Sequence, residues 1–146
     1  MQPSELDKQL SRIRDRLAGV ECTRENRVFL PCEAQHVYEI CRFLRDELRW
    51  RFVISTGIDA EDRFEVLHHF SDDASGALVT VKAFVRDRQK PQIDSITPLI
   101  PAAEWTEREM TDLLGITFRN HPNPGRLILA DDWPEGVYPL RKEIPT

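Results

Sequence analysis

The chain has 146 residues, which is enough to bury a hydrophobic core without disulfides or a structural metal, and its 40% hydrophobic and 31% charged residues are ordinary for a globular protein. Twenty basic against 25 acidic residues give a net charge of −5, which argues against a protein that binds nucleic acid through its phosphates. The sequence has no run of about 18 apolar residues and no basic segment followed by an apolar one at its start, so we expect neither a membrane-spanning helix nor a signal peptide.

The first 90 residues carry the periodicities of helices and strands. In chain order they predict an amphipathic helix over residues 4–18, a short strand over 26–31 that ends at Pro31, a second helix over 33–49, and three strands over 50–58, 63–70 and 77–86. The connections 59–62 and 71–76 are short and polar, as hairpin loops are. The predicted fold class is therefore α+β: a mostly antiparallel sheet with helices on one face, followed by an extended irregular C-terminal arm.

Cysteine and histidine offer little chemistry in this region. The sequence has three cysteines, Cys22, Cys32 and Cys41, and no Cys-x-x-Cys motif. We therefore expect reduced thiols and neither a zinc nor an iron–sulfur site. Cys32 and Cys41 should act as small buried hydrophobic residues. His68 and His69 are neighbours on a predicted strand and should point to opposite faces, which makes chelation of one metal ion unfavourable.

The character of the chain changes after residue 90, where eight of its ten prolines lie. A helix is predicted over residues 102–114, with apolar positions at Trp105, Met110, Leu113 and Leu114, and Gly115 should end it. From residue 116 the chain is punctuated by proline and glycine yet rich in apolar side chains. We therefore divide it into an α+β domain, residues 1–115, and an interaction arm, residues 116–146. The arm either orders against a partner protein, which we favour, or folds back on its own sheet.

The predicted helix over residues 102–114 carries a charged face. Arg108 lies four residues from both Glu104 and Asp112, so an acid–arginine–acid ladder is expected. Such a ladder serves helix solubility, or it forms a face that docks another protein or orders the proline-rich arm, because arginine offers a planar fork to carboxylates and carbonyls.

The sequence contains no group of residues that specifically indicates a catalytic site. Asp131 and Asp132 form a carboxylate pair and His121 lies nearby in sequence, but no phosphate-binding glycine loop or nucleophile motif accompanies them. A free-standing enzyme that uses these three residues remains one hypothesis, and a regulatory or binding module is another.

A set of ordered motifs runs through residues 104–143: Glu107-Arg108-Glu109, Asp112-Leu113-Leu114-Gly115-Ile116, His121-Pro122, Arg126-Leu127-Ile128-Leu129, Asp131-Asp132-Trp133 and Pro139-Leu140-Arg141-Lys142. In this set the sequence resembles the 30-kDa subunit of the proton-pumping NADH:quinone oxidoreductase, respiratory complex I. Related subunits occur in energy-converting membrane-bound NiFe hydrogenases and formate hydrogenlyase. The stretch 134–138 is longer than in many respiratory subunits and looks more like the hydrogenase-linked branch.

The resemblance implies a non-catalytic scaffold subunit of the peripheral arm of such an electron-transfer complex, a component of an NADH dehydrogenase (quinone)-type oxidoreductase. It implies no catalytic, cofactor-binding or metal-binding residue in this chain, with iron–sulfur clusters in partner subunits. The partners would be the iron–sulfur subunit and the quinone-site or hydrogenase-large subunit, which hold the chain at the cytoplasmic face of the cell membrane. Carried over by position, the implied partner-contact residues are Glu107, Arg108, Glu109, Asp112, His121, Arg126, Asp132, Trp133, Arg141 and Lys142.

Overall fold

The elements of the chain follow one another in the order that the sequence predicts, with three additional short strands. The structure, a computed structural model, describes residues 2–142. Its helices and strands are α1 Pro3–Leu10, β1 Glu21–Arg24, β2 Arg27–Glu33, α2 Val37–Asp46, β3 Arg51–Asp59, β4 Phe64–Asp72, β5 Ala77–Val85, β6 Gln92–Asp94, α3 Glu104–Leu114 and β7 Thr117–Arg119. Short 3-10 turns follow α1 and precede α2 and α3.

Five strands form the main sheet in the order β1-β2-β5-β4-β3. The two predicted hairpins are confirmed, since β3 pairs with β4 and β4 with β5 in antiparallel fashion. The pairing of β2 with β5 is parallel, which the sequence did not predict, and α2 belongs to the long connection between these two strands. The α+β class with a mostly antiparallel sheet is confirmed.

The core lies on one face of this sheet. Alternate residues of the central strands are buried there, including Val66 and Phe70 of β4 and Val79, Val81 and Ala83 of β5. The helices cover them with side chains that also belong to the core, namely Leu6, Leu10, Val37, Ile40, Leu44, Met110 and Leu114. The helices therefore share one face, as predicted.

The first helix and the first strand differ from the prediction. The helix ends at Leu10 and continues as a 3-10 turn to Arg16, so Gly19 does not end it, and Gln2 rather than Ser4 occupies the N-cap. Pro31 does not stop β2. It lies beyond Phe29, the last β2 residue paired with β1, so no neighbouring strand on that side requires its N–H.

Residues 116–119 are ordered beside α3, and the predicted division of the chain between residues 115 and 116 stays a prediction. β7 pairs in parallel with β6, and Ile116 and Phe118 are buried. The irregular part of the arm accordingly begins at Asn120 and is described to residue 142. Trp105, predicted as an apolar face position of α3, is 67% exposed.

The predicted burial of Cys32 and Cys41 and the predicted opposite faces of His68 and His69 are confirmed. Cys32 and Cys41 are buried free thiols, and burial raises the pKa of Cys32 to about 12. His68 is buried against Ser55, whereas His69 on the opposite face contacts Thr80. Within residues 2–142 no three His, Cys, Asp or Glu side chains are grouped so that they can share a metal ion. No helix in that part of the chain is long and apolar enough to cross a membrane.

Candidate functional site

The candidate site is the surface that α3 and the irregular part of the arm form together. Its foundation is Glu107, whose side chain is fully buried beneath the helix. Its carboxylate accepts hydrogen bonds from the Ser95 hydroxyl at 2.8 Å, the Ile96 N–H at 3.3 Å, and both the N–H and the hydroxyl of Thr97. Burial raises the pKa of Glu107, and these donors oppose that rise. Glu107 therefore fixes the loop after β6 to the underside of α3.

Arg108 ties the outer side of α3 to the arm. Its Nε donates to the carbonyl of Gly125 at 3.0 Å, and its Nη2 donates to the carbonyl of Arg126 at 2.9 Å. A looser ion pair of 3.7 Å joins it to Glu104, so half of the predicted ladder is confirmed. The guanidinium therefore donates mainly to two main-chain carbonyls of the arm. These carbonyls belong to an irregular segment and have no hydrogen-bond partners in a sheet.

Asp112 is, after Arg108, the second side chain of α3 that holds the backbone of the arm. Its predicted ion pair with Arg108 is wrong. Its Oδ2 accepts the N–H groups of Leu127, Ile128 and Leu129 at 2.9, 2.8 and 3.1 Å and makes no ion pair with Arg108. Burial raises the pKa of this carboxyl, but the three N–H donors and the charge of Arg126 outweigh it and hold the pKa below its ordinary value. The carboxylate thus organises three consecutive amides that irregular backbone leaves without partners.

His121 lies where the arm leaves β7. Its Nε2 donates to the carbonyl of Glu104 at 3.1 Å, and its Nδ1 accepts the N–H of Asn123 at 3.0 Å. Both ring nitrogens are therefore occupied within the chain. Asp131 and Asp132 are exposed on a turn further along the arm.

Residues 126–138 form a loop that is closed by its own hydrogen bonds. Arg126 Nη1 donates to the carbonyls of Ala130 and Asp131, and the Trp133 indole N–H donates to the carbonyl of Val137 at 2.8 Å. A cleft of about 340 Å³ separates this loop from α3. Its lining includes Thr111, Asp112, Arg126, Trp133, Glu135 and Tyr138.

The end of the described arm returns to the domain. Arg141 Nε donates to the carbonyl of Leu114 at 2.7 Å, and its guanidinium lies 4.6 Å from the ring centre of Tyr138 and 5.1 Å from that of Phe64. The main-chain N–H of Lys142 donates to Asp59 Oδ2 at 2.8 Å. The arm is therefore attached to the domain at both ends of its irregular part.

Asp59, which fastens Lys142, was not among the predicted site residues. Its side chain is 1% exposed and accepts a two-pronged bond from Arg88, with distances of 2.8 and 3.1 Å. The Arg88 bond, against the opposing effect of burial, lowers the pKa of Asp59 to about 2. The sequence places Asp59 in a polar hairpin loop and carries no local signal that a residue 83 positions away would reach it.

Gly115 permits this return of the arm, and its replacement gives a test. Its φ is +77°, and an added Cβ would lie 2.5 Å from a ring carbon of Tyr138 and 2.6 Å from Arg141 Nη2. We expect Gly115→Ala to cost about 1 kcal/mol through backbone strain and, in addition, to displace the end of the arm. Hydrogen exchange should then accelerate at residues 138–142.

Gly76→Ala is the matched control. Gly76 has the same φ of +77°, but an added Cβ there has open space around it. This variant should show the strain cost without any change in exchange of the arm. Equal exchange at residues 138–142 in the two variants would contradict the packing of Tyr138 and Arg141 on Gly115.

The predicted partner-contact residues fall into two groups. Glu107, Arg108, Asp112, His121, Arg126, Trp133 and Arg141 make the internal contacts described above. Glu109, Asp132 and the side chain of Lys142 lie exposed on the surface. That these ten residues contact a partner stays a prediction. Glu107 has no exposed surface, so it would contribute to such a contact only indirectly.

The arm is fastened by its backbone and leaves apolar side chains outside. The exposed large hydrophobic residues of this region are Trp105 at 67%, Leu127 at 40%, Ile128 at 52%, Val137 at 48% and Leu140 at 58%. The main chain of the described arm therefore folds back on its own domain, chiefly on α3, while these side chains remain uncovered. Ordering of the arm against a partner stays a prediction.

The chain is similar to known proteins in fold and in sequence. The chain superposes on a chain in the solved structure of a membrane-bound sulfane sulfur reductase, an archaeal respiratory membrane complex, with a TM-score of 0.79 and 25% identity over 95% of this chain and 83% of that one. The C subunit of the NADH-quinone oxidoreductase of Citrifermentans bemidjiense is 33% identical over 97% of this chain and 91% of its own length. The corresponding subunit of Roseiflexus castenholzii is 39% identical over 76% of this chain and 66% of its own length.

The fold is thus of the class found in respiratory membrane complexes. Residues 30–146 match the family described as the 30-kDa subunit of respiratory-chain NADH dehydrogenase. The chain belongs to that family, which the motifs of residues 104–143 indicated.

Proposed function

We propose that the chain is a non-catalytic scaffold subunit in the peripheral arm of an NADH:quinone oxidoreductase-type complex, docking its iron–sulfur and quinone-site subunits. In this role it binds no cofactor, the iron–sulfur clusters belong to the partners, and it reaches the membrane only through them. Family membership supports the setting. The observation that carries the docking role is an arm whose backbone is fixed to α3 by Arg108 and Asp112 while its apolar side chains face outward.

Pre-organisation explains why such an arm suits docking. A free irregular segment loses conformational freedom when it orders on a partner, and that loss weakens binding. In this chain Arg108 and Asp112 already fix the backbone of residues 125–129. Much of the loss of conformational freedom therefore occurs when the chain folds and not when it binds a partner. The exposed Leu127 and Ile128 can then bury apolar area on a partner with little further loss of freedom.

A second candidate is the equivalent subunit of an energy-converting membrane-bound NiFe hydrogenase or formate hydrogenlyase. The long stretch 134–138 favours it, and so does the likeness to a respiratory membrane complex other than an NADH dehydrogenase. The identity of the co-purified subunits separates the two candidates, and neighbouring genes give the same information. The hypothesis of a free-standing enzyme loses support, because both ring nitrogens of His121 are engaged within the chain and no metal-binding group forms around Asp131 and Asp132 in residues 2–142.

Deletion of residues 120–146 tests the docking role. We expect the shortened chain to keep its domain fold, because β7 and the buried Phe118 are retained, and to lose co-purification with its neighbouring subunits. Circular dichroism verifies the fold, and mass spectrometry of the affinity-purified chain measures the subunits recovered.

The full-length double variant Leu127→Ser/Ile128→Ser guards against an effect of truncation on folding. It changes no backbone donor to Asp112 and removes two apolar side chains that are 40% and 52% exposed, so it too should recover less of the neighbouring subunits. Normal recovery with both the shortened chain and this variant would overturn the proposed function.

A further inference from the structure

The charges on the α3–arm surface are distributed unevenly. Its arginines face inward: Arg108 and Arg126 donate to main-chain carbonyls of the arm, and Arg141 donates to the carbonyl of Leu114. Their positive charges are therefore occupied in holding the arm and lie close to its backbone.

The carboxylates of the same surface face outward. Glu109, Asp131, Asp132 and Glu135 are exposed, and none of their side chains forms a hydrogen bond or an ion pair with another residue in the described range 2–142. Other exposed carboxylates, such as Asp73 and Glu33, pair with Arg51 and Arg86. Four carboxylates without an ion pair among residues 2–142 thus lie in the region of α3 and the arm.

One of these carboxylates, Glu109, shares a face of α3 with apolar side chains, and the arm that carries the other three crosses the same face. Trp105, Arg108, Glu109 and Asp112 follow one another at helical spacing, so they share one side of α3. Residues 125–129 cross that side between Arg108 and Asp112. Leu140 returns beside it, because its N–H donates to the carbonyl of Leu113 and its side chain lines a small cleft together with Glu109.

We propose that this face docks onto a protein surface that is apolar at its centre and basic at its rim. The proposal rests on the proposed function and specifies the chemistry of the partner. Trp105, Leu127 and Ile128 supply apolar area, and Glu109, Asp131, Asp132 and Glu135 supply carboxylates that make no ion pair within residues 2–142. Lysine and arginine side chains of the partner meet those carboxylates, and the complementary potentials guide association and fix the register.

The alternatives of an acidic or a purely apolar partner fit less well. An acidic surface would bring like charges together, which costs several kcal/mol at close range. A purely apolar surface would desolvate the carboxylates without giving them partners. A basic rim avoids both costs.

The test is charge reversal in the full-length chain. The variant Asp131→Lys/Glu135→Lys is expressed as the only copy of this chain, and its neighbouring subunits are recovered by affinity purification at low and high salt and quantified by mass spectrometry. We expect recovery to fall roughly tenfold or more at low salt. The neutral variant Asp131→Asn/Glu135→Gln should bind more weakly than the native chain, with a flatter salt dependence.

The matched control is Glu21→Lys/Glu25→Lys. Both residues are exposed at β1 or the turn after it, at the opposite sheet edge from β3, the strand on which α3 packs. The control makes the same change in net charge and should recover the subunits normally. Equal melting temperatures of all variants establish that folding is unaffected.

The outcomes separate this inference from the proposed function. If charge reversal at Asp131 and Glu135 recovers as much as the control while deletion of residues 120–146 abolishes recovery, the basic partner surface is wrong and the docking role stands. Increased recovery with the lysine variant would show an acidic partner surface and also overturn the inference. Normal recovery with both the deletion and Leu127→Ser/Ile128→Ser overturns the proposed function and, with it, this inference.

Discussion

Replacement of Glu107 by alanine is expected to cause the largest loss of stability of any single substitution in α3. The change removes the acceptor of four hydrogen bonds and leaves the hydroxyls of Ser95 and Thr97 and the N–H of Ile96 buried without an acceptor, whereas the Thr97 N–H keeps its bond to the Ser95 hydroxyl oxygen. A buried donor without an acceptor costs about 1–3 kcal/mol, so a loss of roughly 3 kcal/mol or more is expected. Urea-induced unfolding, followed by circular dichroism, measures it.

Glu109→Ala is the control on the same helix. The Glu109 side chain is exposed and makes no hydrogen bond or ion pair within residues 2–142, so its removal should change the free energy of unfolding by no more than about 0.5 kcal/mol. Glu107→Gln keeps one acceptor oxygen and should fall between the two. Comparable stabilities for Glu107→Ala and Glu109→Ala would contradict the role of Glu107 as the anchor of the loop after β6.

Replacement of Asp112 by alanine is expected to release the arm while leaving the sheet folded. Three consecutive N–H groups, those of Leu127, Ile128 and Leu129, lose their shared acceptor. These amides are protected from exchange by their hydrogen bonds to that carboxylate. Hydrogen exchange there should therefore accelerate by one to two orders of magnitude, which corresponds to a fall of about 1.4–2.8 kcal/mol in the free energy of local opening. Exchange at the β4 and β5 amides should change far less.

Asp132→Ala is the control for this experiment, because it removes an aspartate that lies in the arm itself. The Asp132 carboxylate is exposed and makes no hydrogen bond or ion pair in the described range 2–142, so exchange at residues 127–129 should stay as in the native chain. The same exchange rates in Asp112→Ala as in this control would mean that the arm does not depend on the Asp112 carboxylate.

Local patterns in the sequence were sufficient for the elements that depend on neighbours in the chain. Alternation over residues 63–70 and 77–86 predicts β4 and β5 because alternate residues of each strand point into the core, and Gly115 predicts the end of α3 because a positive φ is needed there. β1 was missed because its four residues are all exposed and therefore carry no apolar alternation.

Contacts between distant parts of the chain could not be predicted in this way. The parallel pairing of β2 with β5 depends on a register that neither strand encodes alone. Asp112 was assigned to Arg108 because they are four residues apart, but three amides of an irregular segment compete for the carboxylate and occupy it. Trp105 fits the helical spacing and is nevertheless exposed, because the arm crosses α3 beside it and leaves it uncovered.

Site-specific cross-linking from position 128 most directly tests whether the fixed arm presents its apolar side chains to another subunit. A photoreactive amino acid replaces Ile128, whose backbone is held by Asp112 and whose side chain is 52% exposed, in the only copy of the chain. Illumination of the purified complex should link this position covalently to a neighbouring subunit, and mass spectrometry should place the link in an apolar patch. Products linked only within this chain would contradict the docking role of the arm.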